Sequence, residues 1–215
     1  MNEIAIYGAG GFGRETALLI DQINALQPVW KLVGFFDDHI EKGKEVDGLP
    51  VLGGIKQVNE VPHNLALALA IADPTARRRI AEGITNKQVR YPVLAHPRAM
   101  LGSETNFFGR GCILTAGCIL TTGIILGEFA IVNLLSTVGH DAKIGSFCTL
   151  MPSSNISGNV EIGEETMIGT GAKILQNLTI GARCKVGAGA VLTGSLQSDQ
   201  TAVGVPARPV TGEKK

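Results

Sequence analysis

Aromatic side chains are scarce in this chain. Seven Phe, two Tyr and one Trp make up 5% of 215 residues, although 45% are hydrophobic. The core must therefore be built from aliphatics, Ala and Gly. Net charge is missing too, with 19 Lys and Arg against 19 Asp and Glu. No basic excess stands ready to displace phosphate counterions, which removes the electrostatic case for nucleic acid. The one short basic run, Arg77-Arg78-Arg79, is expected to be a solvated helix face, with phosphate contact as the lesser reading. Long apolar runs are also absent. "IAIYGAGG" near the start is far too short to span a bilayer, and no basic n-region or cleavage-like site accompanies it. These absences predict a soluble, cytoplasmic protein that does not engage membranes.

Glycine, by contrast, is abundant at 28 residues, too many for an ordinary globular domain and too regularly placed for a disordered one. Its distribution divides the chain in two, at about residues 1–95 and 96–215. In the first part, short apolar runs alternate with helical patterns: "EIAIYG", "GRETALLIDQI", "KLVGFFDD", "LALALAIAD", "PTARRRIAEGI" and "QVRYPVLA". Strand–helix–strand order predicts a parallel sheet with crossover helices, a Rossmann-like α/β domain. His96-Pro97 then reads as a linker, since Pro disfavours helix in the residue before it.

From Phe108 the period becomes six. Phe108, Leu114, Leu120, Leu126, Val132, Val138, Ile144, Leu150, Ile156, Ile162, Ile168, Ile174, Ile180, Val186 and Leu192 are all large and apolar. Gly follows directly at eight of these fifteen positions, and small residues such as Ala130, Ser136, Ser154 and Ala172 stand four places on. A hexapeptide beat of this kind predicts a parallel β-helix, with one hexad per flat side and about five coils of three sides. The large aliphatic points inward, the small residue fills the remaining space, and glycine is expected to ease the corner. Cys112, Cys118, Cys148 and Cys184 all share the small inner phase, so they read as fillers of the stack rather than as metal ligands or disulfides.

His140 and Asp141 interrupt this beat at its outer places. Imidazole titrates near neutral pH and can take a proton from an amine or hydroxyl. Asn133, one hexad back, could offer a side-chain amide to a nearby ligand. Neighbouring residues on a strand face opposite ways, so Asp141 can orient His140 only if a corner bends it back. A zinc site fails on ligand count, because His140 is the only histidine within the repeats; no metal is expected.

At the start, Gly8-x-Gly10-x-x-Gly13 lies directly after a strand and before a helix. This is the context in which glycines admit a phosphate to a helix N-terminus. Asp37 and Asp38, ending the second strand, are placed to accept hydrogen bonds from a ribose or base. Some 95 residues hold only half of a doubly wound dinucleotide fold, which favours a nucleotide smaller than NAD.

Together, "GAGGFGRE", "VGFFDD", "AHPRAM", "IVNLLSTVGHDAKIG" and "GVPARPV", joined to the hexapeptide repeat, make the chain resemble the sugar O- and N-acyltransferase family. That family includes sialic acid O-acetyltransferases and bacterial UDP-4-amino-sugar N-acetyltransferases. The resemblance implies a left-handed β-helix, a homotrimer with active sites between subunits, and acetyl-CoA as co-substrate. It implies an acceptor nucleotide sugar bordered by Gly10, Gly11, Phe12, Gly13, Asp37, Asp38, Lys56 and Ala72. His140 matches the catalytic base, Asp141 the acid behind it and Asn133 a residue beside it. Thr149, Thr170, Ala188, Gly204, Pro206 and Ala207 would border the cofactor. Thr149 stands where some relatives have histidine. The expected reaction is N-acetylation of a UDP-linked 4-amino-4,6-dideoxy sugar for surface glycan synthesis. Competing readings are an O-acetyltransferase of a free sugar such as sialic acid, an NAD-dependent oxidoreductase, and a non-catalytic binding protein.

Overall fold

A computed structural model of the protein describes residues 1–102 and 104–210. The chain divides into two compact units, Met1–Pro97 and a second from Arg98 onward.

The first unit is a parallel sheet with helical crossovers, as the alternating pattern predicts. Its main elements are β1 (Asn2–Tyr7), α1 (Gly11–Leu26), β2 (Trp30–Phe36), β3 (Glu45–Val46), β4 (Leu49–Pro50), α2 (Ile55–Asn59), β5 (Leu65–Leu69), α3 (Pro74–Gly83) and β6 (Val89–Arg90). The sheet runs β2-β1-β5-β6, every pair parallel. Apolar runs form the central strands because both faces are covered: Ile4, Ala5, Ile6 and Tyr7 of β1 are all buried. The α1 helix buries Gly13, Thr16, Leu19 and Ile20, a stripe at helical spacing. Asn24 fixes the turn into β2, its Oδ1 accepting from Val29 and Trp30 N–H and its Nδ2 donating to the Trp30 carbonyl. The α3 helix starts at Asp73, whose Oδ1 accepts from the Ala76 N–H at 2.8 Å, with Pro74 in the first helical place.

The second unit is the parallel β-helix. Fifteen two-residue strands run from Phe107–Phe108 to Val191–Leu192, and each is hydrogen-bonded to strands one coil away. Thus Ile113 pairs with Ile131, and Ile131 with Thr149, along one of three sides. The inward aliphatics behave as the period demands: fourteen are buried and only Phe108, in the first coil, is partly open. Fully burying each such side chain contributes about 1.5–3 kcal/mol, so the column of aliphatics is the main source of stability.

The corners differ from the expectation. Left-handed backbone, φ near +60°, falls not on the glycine next to the aliphatic but three places after it, at residues as varied as Phe129, Leu135, Asp141, Glu165 and Arg183. The adjacent glycines answer to a different constraint. A Cβ on Gly127 would lie 2.4 Å from the Ser146 nitrogen, and one on Gly163 2.4 Å from the Ala182 nitrogen. Glycine is required there because the next coil's backbone passes too close for any side chain.

The inner small residues are buried and their polar hydrogens are used. Thr166 Oγ1 donates to the Gly181 carbonyl at 2.9 Å and Ser136 Oγ to the Met151 carbonyl at 2.9 Å. Cysteines follow the same pattern, Cys112 Sγ reaching the Gly127 carbonyl and Cys148 Sγ the Gly163 carbonyl. All four cysteines are fully buried, and none forms a disulfide among the described residues. Burial pushes the Cys118 thiol up to about 11. They are packing, as their phase predicts.

Candidate active site

Two places bring chemistry-bearing groups together, one in each unit. In the second, the corner after the Thr137–Val138 strand carries His140 and Asp141. Asp141 occupies the left-handed corner position with φ 60°. That bend undoes the alternation that would otherwise send the two side chains apart, and Asp141 Oδ2 lies 2.9 Å from His140 Nδ1. The geometric condition left open by the sequence is met. Both side chains remain more than half exposed, so the pair is accessible from solvent. A carboxylate on one ring nitrogen fixes the tautomer that leaves Nε2 as the proton acceptor.

Asn133 lies at the other end of the same side of the coil, and no hydrogen bond joins it to His140. It is buried, with its Oδ1 accepting from the Leu134 N–H at 2.7 Å and from Thr115 Oγ1 at 3.5 Å. The amide NH2 makes no hydrogen bond among the described residues.

The residues expected to border the cofactor separate into two groups. Thr170, Ala188, Gly204 and Pro206 are exposed, the last two at the tip of the hairpin formed by Thr201–Gly204 and Ala207–Pro209. Thr149 and Ala207 depart from the expectation. Thr149 is wholly buried between Ile131 and Met167 in its ladder, and Ala207 is 5% exposed where it pairs with Gly204. Neither side chain has a surface to offer.

In the first unit, a cleft of about 520 Å³ opens beside Tyr7, Asp38, His39, Ile71, Arg79 and Ile80. Tyr7 ends β1, Asp37 and Asp38 follow β2, and Ile71 lies just beyond β5. The cleft is thus at the carboxyl ends of the strands, where open α/β sheets receive ligands. The acidic pair is partly committed within the protein. Asp37 accepts from the Ala9 and His39 N–H groups, while Asp38 accepts from the Tyr7 hydroxyl and the Ile55 N–H. Burial and the Asp38 contact push the Tyr7 hydroxyl up, so it stays a donor. Asp37 thereby holds the glycine loop and Asp38 the start of α2, each retaining lone pairs for a ligand.

The glycine loop shows two kinds of glycine. A Cβ on Gly13 would sit 1.8 Å from the Gly8 carbonyl oxygen, so this residue lets α1 pack on the loop. Around Gly10 and Gly11 a Cβ would meet nothing within 4 Å, and neither has left-handed φ. Phe12 is half-buried in the first turn of α1, whose N-terminus has neither a side-chain cap nor an acidic residue. Lys56 is exposed on α2, and Ala72 is half-buried.

Arg77-Arg78-Arg79 is not the solvated face expected. Arg77 is 1% exposed, its guanidinium donating to the Ile71 and Ala72 carbonyls, because these must be held as the chain turns into α3. Only Arg79 is exposed, and it lines the cleft. Tyr7, His39 and Arg79 are polar cleft residues that sequence reasoning did not assign to the site; the basic run, with phosphate contact as its lesser reading, was the sole signal for Arg79.

Known proteins match this arrangement in both halves. Residues 3–84 match the family described as the PglD N-terminal domain, and residues 141–176 and 159–194 the bacterial transferase hexapeptide (six repeats). A GDP-perosamine N-acetyltransferase of Escherichia coli O157:H7 is 32% identical over 158 residues, 74% of this chain and 71% of that protein. The chain belongs to the hexapeptide-repeat sugar N-acetyltransferase family. Among solved structures of this family, the acetyltransferase domain of PglB from Neisseria gonorrhoeae FA1090 aligns with a TM-score of 0.88 and 32% identity, covering 98% of this chain and 100% of that one. The same domain has been solved in complex with acetyl coenzyme A. PerB from Caulobacter crescentus, in complex with CoA and GDP-perosamine, aligns with a TM-score of 0.87 and 28% identity over 98% of each chain.

Proposed function

We propose that this acyltransferase moves the acetyl group of acetyl-CoA to the amine of a nucleotide-linked amino sugar, with His140 as general base. The observation that carries the reading is the His140–Asp141 contact on an exposed corner of a fold whose relatives hold CoA and a sugar nucleotide. The neutral amine attacks the thioester carbonyl, a tetrahedral centre forms, and the amine's proton passes to His140 Nε2. Collapse of that centre expels the CoA thiolate, which recovers the proton. Asp141 stabilises the imidazolium between those steps, as a carboxylate on Nδ1 does elsewhere. The fully buried cysteines have no access to an acyl group, so direct transfer is the simpler route.

The acceptor's nucleotide belongs in the first unit. Gly10 and Gly11 carry no side chain although neither packing nor φ requires this, and they stand at an uncapped helix N-terminus suited to a phosphate. Asp37, Asp38, Lys56 and Ala72 border the nucleoside and sugar. A four-stranded sheet is small for a dinucleotide, which supports a sugar nucleotide over NAD. Thr170, Ala188, Gly204 and Pro206 border acetyl-CoA. Phe107 and Ile125, exposed on one side of the coils, support lateral association into the trimer. The cytoplasm, which supplies both substrates, is the site of action.

The test is mass spectrometry of acceptors incubated with the native protein and acetyl-CoA. The acceptors are a UDP-4-amino-4,6-dideoxy sugar, GDP-perosamine and free sialic acid. One added acetyl group on a nucleotide sugar is expected, with the UDP-linked compound preferred. Acetylation of sialic acid alone would replace this reading with an O-acetyltransferase.

A further inference from the structure

The His140 ring rests on a glycine. Gly158 lies one coil beyond His140, in the stack that pairs Val138 with Ile156. A Cβ built on Gly158 would stand 2.4 Å from Nε2, 2.6 Å from Cε1 and 2.9 Å from Cδ2 of the imidazole. Such close approaches to three ring atoms mean that the ring lies across the space a side chain would fill. Its remaining nitrogen, Nδ1, is the one held by Asp141.

The β-helix itself does not ask for glycine at this place. The residue two after each inward aliphatic ranges from Arg110, Glu128 and Leu134 to Thr170 and Gln176. Only Gly158 and Gly194 are glycine among these fifteen residues, and neither has left-handed φ. Around Gly194 a Cβ would meet nothing within 4 Å. At Gly158 the obstacle is the far end of a rotatable side chain rather than backbone. Alanine there would thus displace the ring more readily than the coil, and by restricting the unfolded chain it would leave stability unchanged or slightly raised.

We infer that Gly158 is a positioning residue for the base: its missing side chain lets the imidazole lie on the corner with Nδ1 on Asp141 and Nε2 in place for the acceptor amine. Gly123, in the preceding coil, also lies against the pair, a Cβ there meeting Asp141 Oδ1 at 2.6 Å, but its left-handed φ of 68° gives the backbone its own reason for glycine. The inference rests on the reading of His140 as the base and extends it to a residue with no functional group at all.

The experiment compares the native chain with Gly158→Ala, Gly194→Ala and His140→Ala. It measures kcat and KM with acetyl-CoA and whichever of GDP-perosamine or the UDP-linked amino sugar the native protein acetylates. Histidine ring resonances are followed by NMR across pH, with His140 assigned by its loss in His140→Ala, and thermal midpoints are recorded. Gly158→Ala should lower kcat on the order of 10²-fold, the scale of a reacting group misplaced by about 1 Å. Its KM for acetyl-CoA and its thermal midpoint should hold, while the His140 resonances shift. Gly194→Ala should match the native protein throughout. Native turnover in Gly158→Ala, native His140 resonances, or a collapsed thermal midpoint would each overturn the inference, the last because the fold rather than the ring would then need the glycine. A native protein that acetylates neither sugar sinks the functional reading instead, and the ring resonances then decide on Gly158 alone.

Discussion

Glycine means one thing where coils stack in the second unit and another at Gly10 and Gly11 of the first. Along the β-helix, Gly127, Gly145 and Gly163 are fixed by the neighbouring coil, whose backbone nitrogen would lie 2.4–2.5 Å from an added Cβ. At the start of α1, Gly10 and Gly11 face open space. A glycine that its own protein demands reports on the fold. A glycine that nothing demands, at an uncapped helix N-terminus, points to something that is not protein.

That contrast can be broken by substitution. Gly163→Ala drives a methyl group into stacked backbone, and the loss should reach about 3 kcal/mol or more, at or beyond the upper end of ordinary overpacking. Urea denaturation followed by circular dichroism checks it; an unchanged midpoint would show that the coils can spread. Gly10→Ala and Gly11→Ala should instead leave stability within about 0.5 kcal/mol, as surface changes usually do. Each should raise the KM for the acceptor roughly tenfold, equivalent to about 1.4 kcal/mol of binding. If stability falls and KM holds, these glycines belong to the fold after all.

The smallest effect concerns the cysteines. Burial raises the Cys118 thiol from 9.0 to about 11, and the folded state therefore favours the protonated form. Any stability this contributes is intact below pH 9 and is lost as pH rises toward 11. Thiolate is the reactive species, so a maleimide at pH 8 should label none of the four thiols in the folded protein and all four in denaturant. Fast labelling of the native chain would place at least one cysteine outside the stack.

Much of this was legible beforehand because side-chain period is a direct record of burial. The six-residue beat found every inward aliphatic from Phe108 to Leu192, and the shared phase of the cysteines found their interior position. The Gly8-x-Gly10-x-x-Gly13 spacing found the loop. What escaped depends on contacts between residues far apart in the chain. Nothing in a single strand says that the next coil's backbone crowds Gly127, or that Arg77 turns inward to two carbonyls. The left-handed corner is invisible for another reason, since residues as different as Phe129 and Asp141 adopt it under the constraint of the coil. Thr149 borders the cofactor only by resemblance to the family, and its complete burial between Ile131 and Met167 is not marked by its own polar side chain.

The central claim is that an exposed imidazole, turned onto a carboxylate by a left-handed corner, removes the acceptor's proton. The most direct test is kcat/KM for acetyl transfer in the native protein and in His140→Ala, with acetyl-CoA affinity measured separately by calorimetry. The account predicts a loss of about 10²- to 10⁴-fold, the range of general-base catalysis, with cofactor affinity retained. A variant within about threefold of native turnover would contradict it, because catalysis would then owe nothing to His140 as a base.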